Sequence, residues 1–598
     1  MSGAREPRRA AAGPGGIGRE PRRVPGGEVA QAFARAVVRL HRAAGPEGDG
    51  EQRDEVRNED EALLERWARR AWLAAADGHA FVPVPDPLER ARLAGSPAVT
   101  SAGPGEGGEP PAAPLVLDGD ALYLQRLWRA ESVLAERLAA LDAPAPLADE
   151  SRVEAVLDAV APQGEVDPLQ REAVRTALSR RLAIVTGGPG TGKTTTMARL
   201  LVAFLRLAPE SRVAIAAPTG KAAARLAQAL AAQLARLDPD NALAGRLPVS
   251  GMTVHRLLGL RADKAGPAPG AIRHDLLIVD EASMLDLELA RALVESIPEG
   301  GRLVLAGDRD QLASVEAGAV FAEACASPLQ AVVRLQRNYR QSAAPGLAAF
   351  AGWLRDRWQQ PDAPMPVGPD EPKGSNEVTV PGPASAGAIA DRSLAAWSPA
   401  LDALAGGEPA ERIVAAFDRH RVLCALREGP LGAVAINAAI AARIRRRVGA
   451  APGAIWYTGR IVIVTRNRPE LGLYNGDVGI CLPDPTGAPA VAFDGGGALR
   501  WQPARQMPAH EDAFAITVHK SQGSEFDTVA LVPAPAGHGL NTRELLYTGA
   551  TRARSALVVW AGADAIEDGA TRRTERHGRL ADRIASGRPG GRGTEVRG

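Results

Sequence analysis

Three observations predict an α/β protein with two parallel-sheet domains, a small β insertion in the second, and a mainly helical N-terminal domain. Beyond residue 165, short apolar runs alternate with helical stretches, the pattern of strands joined by crossover helices. A glycine-rich loop, Gly187–Thr194, stands between one such run and a helical stretch, and a second alternating set runs from Val422 to about Ala561. With 598 residues the chain has material for several domains, at roughly 150 residues each. A hydrophobic content of 45% excludes general disorder. Lys plus Arg (71) and Asp plus Glu (70) leave a net charge of +1. Bulk charge therefore points to neither a nucleic-acid nor a membrane partner, and any phosphate-binding face must be local. Cys325, Cys424 and Cys481 lie too far apart for a disulfide framework or a zinc spacing. With no apolar run of about 18 residues and no apolar signal core, a cytoplasmic location without membrane contact is expected.

Taken in order, residues 1–27 are rich in Arg, Gly, Pro and Ala and read as a disordered tail. Residues 28–150 read as the helical domain. Helical spacing runs from Val29 to Ala74 with a charged break near Glu47–Asp60, Pro83–Pro114 is loop-like, and Leu115–Leu124 has the pattern of a hairpin before a helix to Leu141. Residues 151–358 form the first α/β domain, with strands expected at Leu182–Val185, Val213–Ala216, Leu276–Val279 and Leu303–Ala306. A Pro/Gly/Ser-rich interval, 359–388, reads as a linker or surface loop. Residues 389–570 form the second domain. Its β insertion, at about 445–510, is read from short strands in Ile455–Trp501 broken at Asn475-Gly476 and Pro485–Gly487. Residues 571–598, rich in Arg and Gly, read as a second disordered tail.

The chemistry starts at Gly187-Gly-Pro-Gly-Thr-Gly192-Lys193-Thr194, a G-x-x-x-x-G-K-[ST] loop that follows a strand and opens a helix. The glycines Gly187, Gly188, Gly190 and Gly192 let backbone N–H groups wrap a β-phosphate, with Pro189 and Thr191 completing the loop and Thr195 on the first helical turn. Lys193 neutralises the β/γ oxygens and Thr194 ligates Mg²⁺. The run Leu276–Val279 ends in Asp280-Glu281. Asp280 suits the Mg²⁺ shell, and Glu281 suits orienting and deprotonating an attacking water. Together these motifs predict binding and hydrolysis of ATP with Mg²⁺. No Asn-Lys-x-Asp run follows, which argues against a GTPase. Gly307-Asp-Arg-Asp-Gln311 follows the strand Leu303–Ala306, where Gln311 is placed to sense a γ-phosphate. Arg337-Asn-Tyr339-Arg340 and Thr551-Arg552-Ala-Arg554 supply arginines distant in sequence, and an arginine finger is worth about 10³–10⁵ in rate.

The ordered series Ala217–Arg225, Thr253–His255, Asp280–Ser283, Gly307–Gln311, Asn338–Arg340, Val518–Phe526 and Tyr547–Arg554 resembles the motif set of superfamily-one DNA helicases. More narrowly, Leu122–Trp128, Val422–Pro430 and Leu471–Asp477 make the chain similar to the RecD family, the alpha subunits of exodeoxyribonuclease V. The helicase motifs span about 165–560, and the likeness before residue 115 is thin. The resemblance implies a 5′→3′ DNA translocase in which two RecA-like lobes, the second with an SH3-like insertion, close on ATP. It implies RecB-like and RecC-like partner subunits, single-stranded and duplex-end DNA as substrate, and a role in double-strand break repair by homologous recombination. It further implies Gln170 as an adenine reader, Tyr339 near the base, Glu525 near the ribose or coupling nucleotide to DNA, and Arg340 and Arg552 as the fingers. Thr219, Lys221, Thr253, His255, Thr517, His519 and Lys520 fall in motifs that line the DNA strand in that family. His255 and His519 remain open as core histidines. Trp456, Tyr457 and Tyr474 are equally open as core residues or DNA platforms. No carboxylate cluster with a lysine marks a nuclease site, an activity the family places in its beta subunit. A free-standing helicase of the same family, and a nucleotide-gated binding subunit that never translocates, are the alternatives.

Overall fold

The computed structural model describes residues 27–44, 51–102, 112–238, 243, 251–260, 272–339, 344–366, 377–495 and 498–587. The first proposed tail, apart from Gly27, and Arg340 lie outside them. The N-terminal region has two long helices, Gly27–Ala44 and Glu51–Ala76, packed on each other. The charged stretch expected as a break continues as helix from Glu51 through Asp60, and residues 45–50 lie outside the described residues. It also holds a four-stranded sheet in the order β1-β4-β3-β2, made of β1 (Phe81–Pro83), β2 (Val99–Ala102), β3 (Leu115–Asp118) and β4 (Ala121–Leu124). The expected hairpin is β3–β4, turning at Gly119 with φ of 63°. The stretch Pro83–Pro114, expected as loop, instead includes the helix Pro87–Ala94 and β2. Asp86 caps that helix by accepting from Leu88 N at 2.8 Å, and Pro87 opens it. Proline at the first helical position and an Asp cap are a helix start, overshadowed in the sequence by the surrounding prolines.

The first lobe is a six-stranded, all-parallel sheet in the order β10-β5-β9-β8-β6-β7. Its strands are β5 (Leu182–Thr186), β6 (Val213–Ala217), β7 (Met252–Thr253), β8 (Leu276–Val279), β9 (Arg302–Gly307) and β10 (Val332–Arg334). Side chains alternate faces along a strand, so a strand buried on both sides must be apolar at every position. Ala183 and Val185 of β5, with Leu276 and Ile278 of β8, join a core under the helix Lys193–Leu207. Leu182, Ile184, Leu277 and Val279 point the other way, into a core continuous with the N-terminal sheet and the helix Gln125–Leu141. The N-terminal region thus forms the second cover of the first lobe's sheet.

The second lobe is a parallel sheet in the order β11-β20-β19-β12-β18, made of β11 (Val378–Thr379), β12 (His420–Cys424), β18 (Ala515–Thr517), β19 (Phe526–Val532) and β20 (Ala553–Val559). The interval 359–388 is therefore not all linker, since β11 adds a strand beside β20. Between β12 and β18 lies the insertion: β13 (Ile461–Val464), β14 (Val478–Pro483), β15 (Pro489–Asp494), β16 (Leu499–Pro503) and β17 (His510–Asp512), all paired antiparallel. Val462 and Val464 face its own small core, while Ile461 and Ile463 join the core of the lobe.

The segment after Thr571 is not a solvated tail over its described length. Residues 571–587 run back to the N-terminal region and end in a helix, Leu580–Ser586, with Leu580 and Ile584 in the core of the first lobe. Composition suggested solvated arginines. The structure instead pairs Arg583 with buried Asp118 and Glu131, at 2.5 and 3.1 Å.

Candidate active site

The carboxyl ends of β5, β8 and β9 open on one cleft of about 760 Å³ between the lobes. Open parallel sheets bind ligands at this edge. The glycine loop leaves β5 and enters the helix Lys193–Leu207 through Gly190 and Gly192, at φ of 81° and 85°. A Cβ on Gly192 would lie 2.2 Å from Nε2 of Gln170 and displace that amide, and the left-handed backbone there itself favours glycine. Lys193 Nζ donates to the carbonyls of Gly187 and Gly188, at 2.6 and 3.2 Å. Thr191 Oγ1 donates to Gly188 O at 2.8 Å. Pro189, Gly190, Thr191, Gly192, Lys193, Thr194 and Thr195 all line the cleft, with Thr194 and Thr195 half-buried. Gly187 and Gly188 face a second cavity of about 560 Å³ on the far side of the loop.

Asp280 and Glu281 enter the same cleft from β8. Burial and the adjacent Glu281 push the Asp280 carboxyl above its ordinary range, and the Lys193 charge opposes this. Glu281 has φ of 52°, the one positive φ outside glycine among the described residues. A left-handed backbone at such a residue costs of order 1 kcal/mol or more and persists where neighbours enforce it. Here it turns the Glu281 side chain into the cleft beside Asp280. The donor set fits a divalent cation on phosphate: a hydroxyl at Thr194 and a half-buried carboxylate at Asp280, with Lys193 alongside.

Gln311 and Arg552 meet across the lobes. Arg552 Nη2 donates to Gln311 Oε1 at 2.5 Å, and its other nitrogens donate to the carbonyls of Thr548 and Ser524. Gln311 Nε2 in turn donates to Asp308 Oδ2 at 3.2 Å, which also accepts from Tyr547 OH at 3.0 Å. Tyr547 and Arg552 lie at and just beyond the helix Arg543–Ala550, so two second-lobe side chains grip one first-lobe pair in a buried ring. Burial pushes the Asp308 carboxyl up, again opposed by Lys193.

At the cleft's other end, Gln170 is buried, donating to Thr191 O at 3.1 Å and accepting from Arg199 Nη1 at 2.6 Å. Tyr339 is 44% exposed and held by its N–H to Gly190 O at 2.9 Å, with Arg337 over its ring at 5.0 Å. Glu525 lines the cleft and pairs with Arg225 of the first lobe at 3.3 Å and with Arg554 at 3.2 Å. Asp308, Tyr547 and Arg225 stand inside motif runs legible in the sequence, but nothing there marked them out. Arg199 had no signal beyond lying on the helix that Lys193 begins.

The residues expected along DNA occupy the same edge but do not share one cavity. Thr219 and Thr253 follow or end the paired strands β6 and β7, and both cap helices, accepting from Ala222 N and Arg256 N. His255 is exposed. Lys221 is half-buried and feels Asp418, Asp477 and Arg421 of the second lobe, and burial lowers its ammonium. Thr517 and exposed Lys520 line a groove of about 300 Å³ in the second lobe, where Lys520 pairs with Glu511. His519 is half-buried, its imidazole held below its ordinary value by burial and the nearby Arg576 charge. Of the undecided aromatics, Tyr457 is buried, Trp456 packs on His510 with ring centroids 5.0 Å apart, and Tyr474 abuts Gly220.

The fold and this cleft define a two-lobed P-loop ATPase. Residues 165–360 match the model of an AAA domain, and 512–560 that of a UvrD-like helicase C-terminal domain. The chain is 37% identical to the RecBCD enzyme subunit RecD of Mycobacterium tuberculosis over 86% of its own length and 87% of that protein's. It is 30% identical to the Haemophilus influenzae RecD subunit over 75% of this chain and 78% of that one. The ATP-dependent RecD2 DNA helicase of Deinococcus radiodurans is 32% identical over 77% of this chain and 58% of that protein. Among solved structures, Bacteroides Pif1 bound to ssDNA aligns at 18% identity and a TM-score of 0.37, over 67% of this chain and 93% of that one. The chain belongs to the RecD family of ATP-hydrolysing helicases. No helix among the described residues is long and apolar enough to cross a membrane.

Proposed function

We propose that this chain is an ATP-driven 5′→3′ motor on single-stranded DNA, working with RecB-like and RecC-like subunits at duplex ends during double-strand break repair in the cytoplasm. The observation that carries the reading is the cleft in which Lys193, Asp280 and Glu281 of one lobe meet Gln311 held by Arg552 of the other. In this reading Lys193 releases its loop carbonyls to hold the β/γ oxygens, and Glu281 orients and deprotonates the attacking water. Thr194 and Asp280 would hold a Mg²⁺ that neutralises phosphate charge. Gln170 and Tyr339 hold the base, and Glu525 the ribose. Arg552 stabilises the charge that develops as the bond breaks, and Gln311 reports it to the first lobe; Arg340 is the other finger. Because Arg552 is already lodged against Gln311, opening or closing of the lobes and hydrolysis are mechanically linked. Thr219, Lys221, Thr253, His255, Thr517, His519 and Lys520 track the sugar-phosphate backbone without reading sequence. Polarity and partners rest on family likeness, supported by the match over 87% of the M. tuberculosis subunit.

The test is steady-state ATP hydrolysis by the full chain, with and without single-stranded DNA, beside Lys193→Gln. Stimulation that vanishes in the variant is expected. Hydrolysis indifferent to DNA, with partner subunits present or absent, would overturn the reading.

A further inference from the structure

The segment that follows the helix Ala563–Thr571 ties three regions together. It leaves the second lobe with Thr574 N donating to Glu544 Oε2 at 2.8 Å. At His577 it joins the N-terminal region: its N–H donates to His79 Nδ1 at 3.1 Å, and its carbonyl accepts from Ala80 N at 2.7 Å. It is then anchored by Arg583 on Asp118 and Glu131, and by Glu323 of the first lobe, which accepts from Leu580 N at 2.8 Å.

Between these anchors lies Arg576, at the junction of all three regions. Nη1 donates to Asp77 O at 3.0 Å and Nη2 to Ser314 O at 3.2 Å. The guanidinium rests on Gly78, where a Cβ would lie 0.9 Å from Nη1. That glycine has φ of 87°, so the turn itself also favours glycine. Burial lowers the Arg576 guanidinium, and its charge is felt at His519.

Ser314 sits in the loop Gln311–Gly318, which touches Arg552, the helix Arg543–Ala550, the Val518–Phe526 motif and the N-terminal region. Gln311 holds Arg552. Leu312 N donates to Thr548 Oγ1 at 2.9 Å, and Leu312 O accepts from Gln522 Nε2 at 3.1 Å. Ser314 Oγ donates to the carbonyls of Glu316 and Gly318, and Gly318 N donates to Gly78 O at 2.9 Å. The loop thus begins at the nucleotide cleft, crosses beneath the Val518–Phe526 motif, and ends on the seat of Arg576. Anchoring the C-terminal helix alone would need only Arg583 and the apolar contacts. A half-buried guanidinium donating to carbonyls of two other regions makes strong, directional bonds that fix where the loop can sit.

We propose that residues 572–587 are a strap through which the N-terminal region sets the position of the coupling loop Gln311–Gly318, with Arg576 as the positioning residue that governs how strongly DNA stimulates ATP hydrolysis. The inference rests on the reading of the chain as a DNA-coupled ATPase.

The experiment measures ATP hydrolysis by the full chain against oligo(dT) concentration for wild type, Arg576→Ala, Arg576→Lys and Gly78→Ala, with thermal unfolding of each. The expected result for Arg576→Ala is a loss of stimulation of at least about fivefold, the low end of allosteric couplings, with the KM for ATP within about twofold of wild type. Gly78→Ala leaves Arg576 in the chain but displaces it, and should reproduce the loss. Lysine keeps the charge without the fork and should restore part of it. Undiminished stimulation in Arg576→Ala overturns the proposal. Should that variant fail to fold, undiminished stimulation in both Arg576→Lys and Gly78→Ala overturns it equally. A stimulated wild type with stimulated variants removes only the strap, whereas a wild type that DNA never stimulates removes the motor reading and the strap together.

Discussion

The nucleotide cleft and the edge proposed to face DNA both lie at carboxyl ends of parallel strands but are built to different tolerances. The cleft is at β5, β8 and β9 and the edge at β6, β7 and β18. In the cleft, residues from both lobes converge on one cavity, and Gln170, Asp308, Gln311 and Arg552 are each buried with named partners. Along the edge proposed to face DNA, Thr219 and Thr253 cap their own helices, His255 and Lys520 are exposed, and Lys520 already has Glu511 as a partner. Phosphoryl transfer gains from fixed geometry, where a shift of about 1 Å is costly. Tracking a polyanion spreads its affinity over many separable phosphate contacts, none of which has to be placed so closely. The two regions should therefore fail differently when altered.

The largest effect is expected for Lys193→Gln, which should abolish ATP hydrolysis and unwinding while DNA affinity without nucleotide stays within about twofold, since Lys193 bonds to the carbonyls of its own loop at Gly187 and Gly188. A filter-binding titration beside the hydrolysis assay checks both halves, and a joint loss would break the separation of the two regions. Arg552→Ala comes next, with kcat down by about 10³. Arg552→Lys should rescue little, because one ammonium cannot reach Gln311 and the Thr548 and Ser524 carbonyls together. Rescue by lysine would show that only charge matters there. Salt sharpens the contrast. The affinity for single-stranded DNA should fall steeply between about 50 and 200 mM salt, with a log–log slope near −0.7 per phosphate contacted, despite the neutral net charge. A flat response would count against a backbone-tracking edge. The smallest effect is expected for Lys520→Ala. It should weaken DNA binding a few-fold, equally across sequences, and reduce the salt slope by about 0.7, one single-strand phosphate contact. Its partner Glu511 tempers the loss.

The order of the motifs made the class of machine legible, and part of the cleft with it. The glycine loop needs its spacing to fold at all, and Asp280-Glu281 sits at the end of a strand buried on both faces. The shortest elements were hidden. β2 was lost in a Pro-rich stretch, and β11 spans two residues, Val378–Thr379, in the interval expected as a linker. The residues proposed to face DNA were legible only as members of motifs, because a threonine that caps a helix leaves the same local signature as one that also contacts phosphate.

What the sequence determined by itself is what short-range physics encodes. Continuous apolar runs require sheets covered on both sides, and Gly192 meets a turn at φ of 85° that other residues strain to make. What the tertiary structure decided is every contact between distant segments. Arg552 meets Gln311 across 241 residues, Arg225 meets Glu525 across 300, and Arg576 meets Asp77 across 499. No local spacing fixes such pairs, because they exist only once two sheets and the N-terminal cover have packed and set the chain's path. The segment 571–587 shows the same limit. Its arginines looked solvated in composition, and only the packed fold supplies the buried carboxylates and carbonyls that hold them.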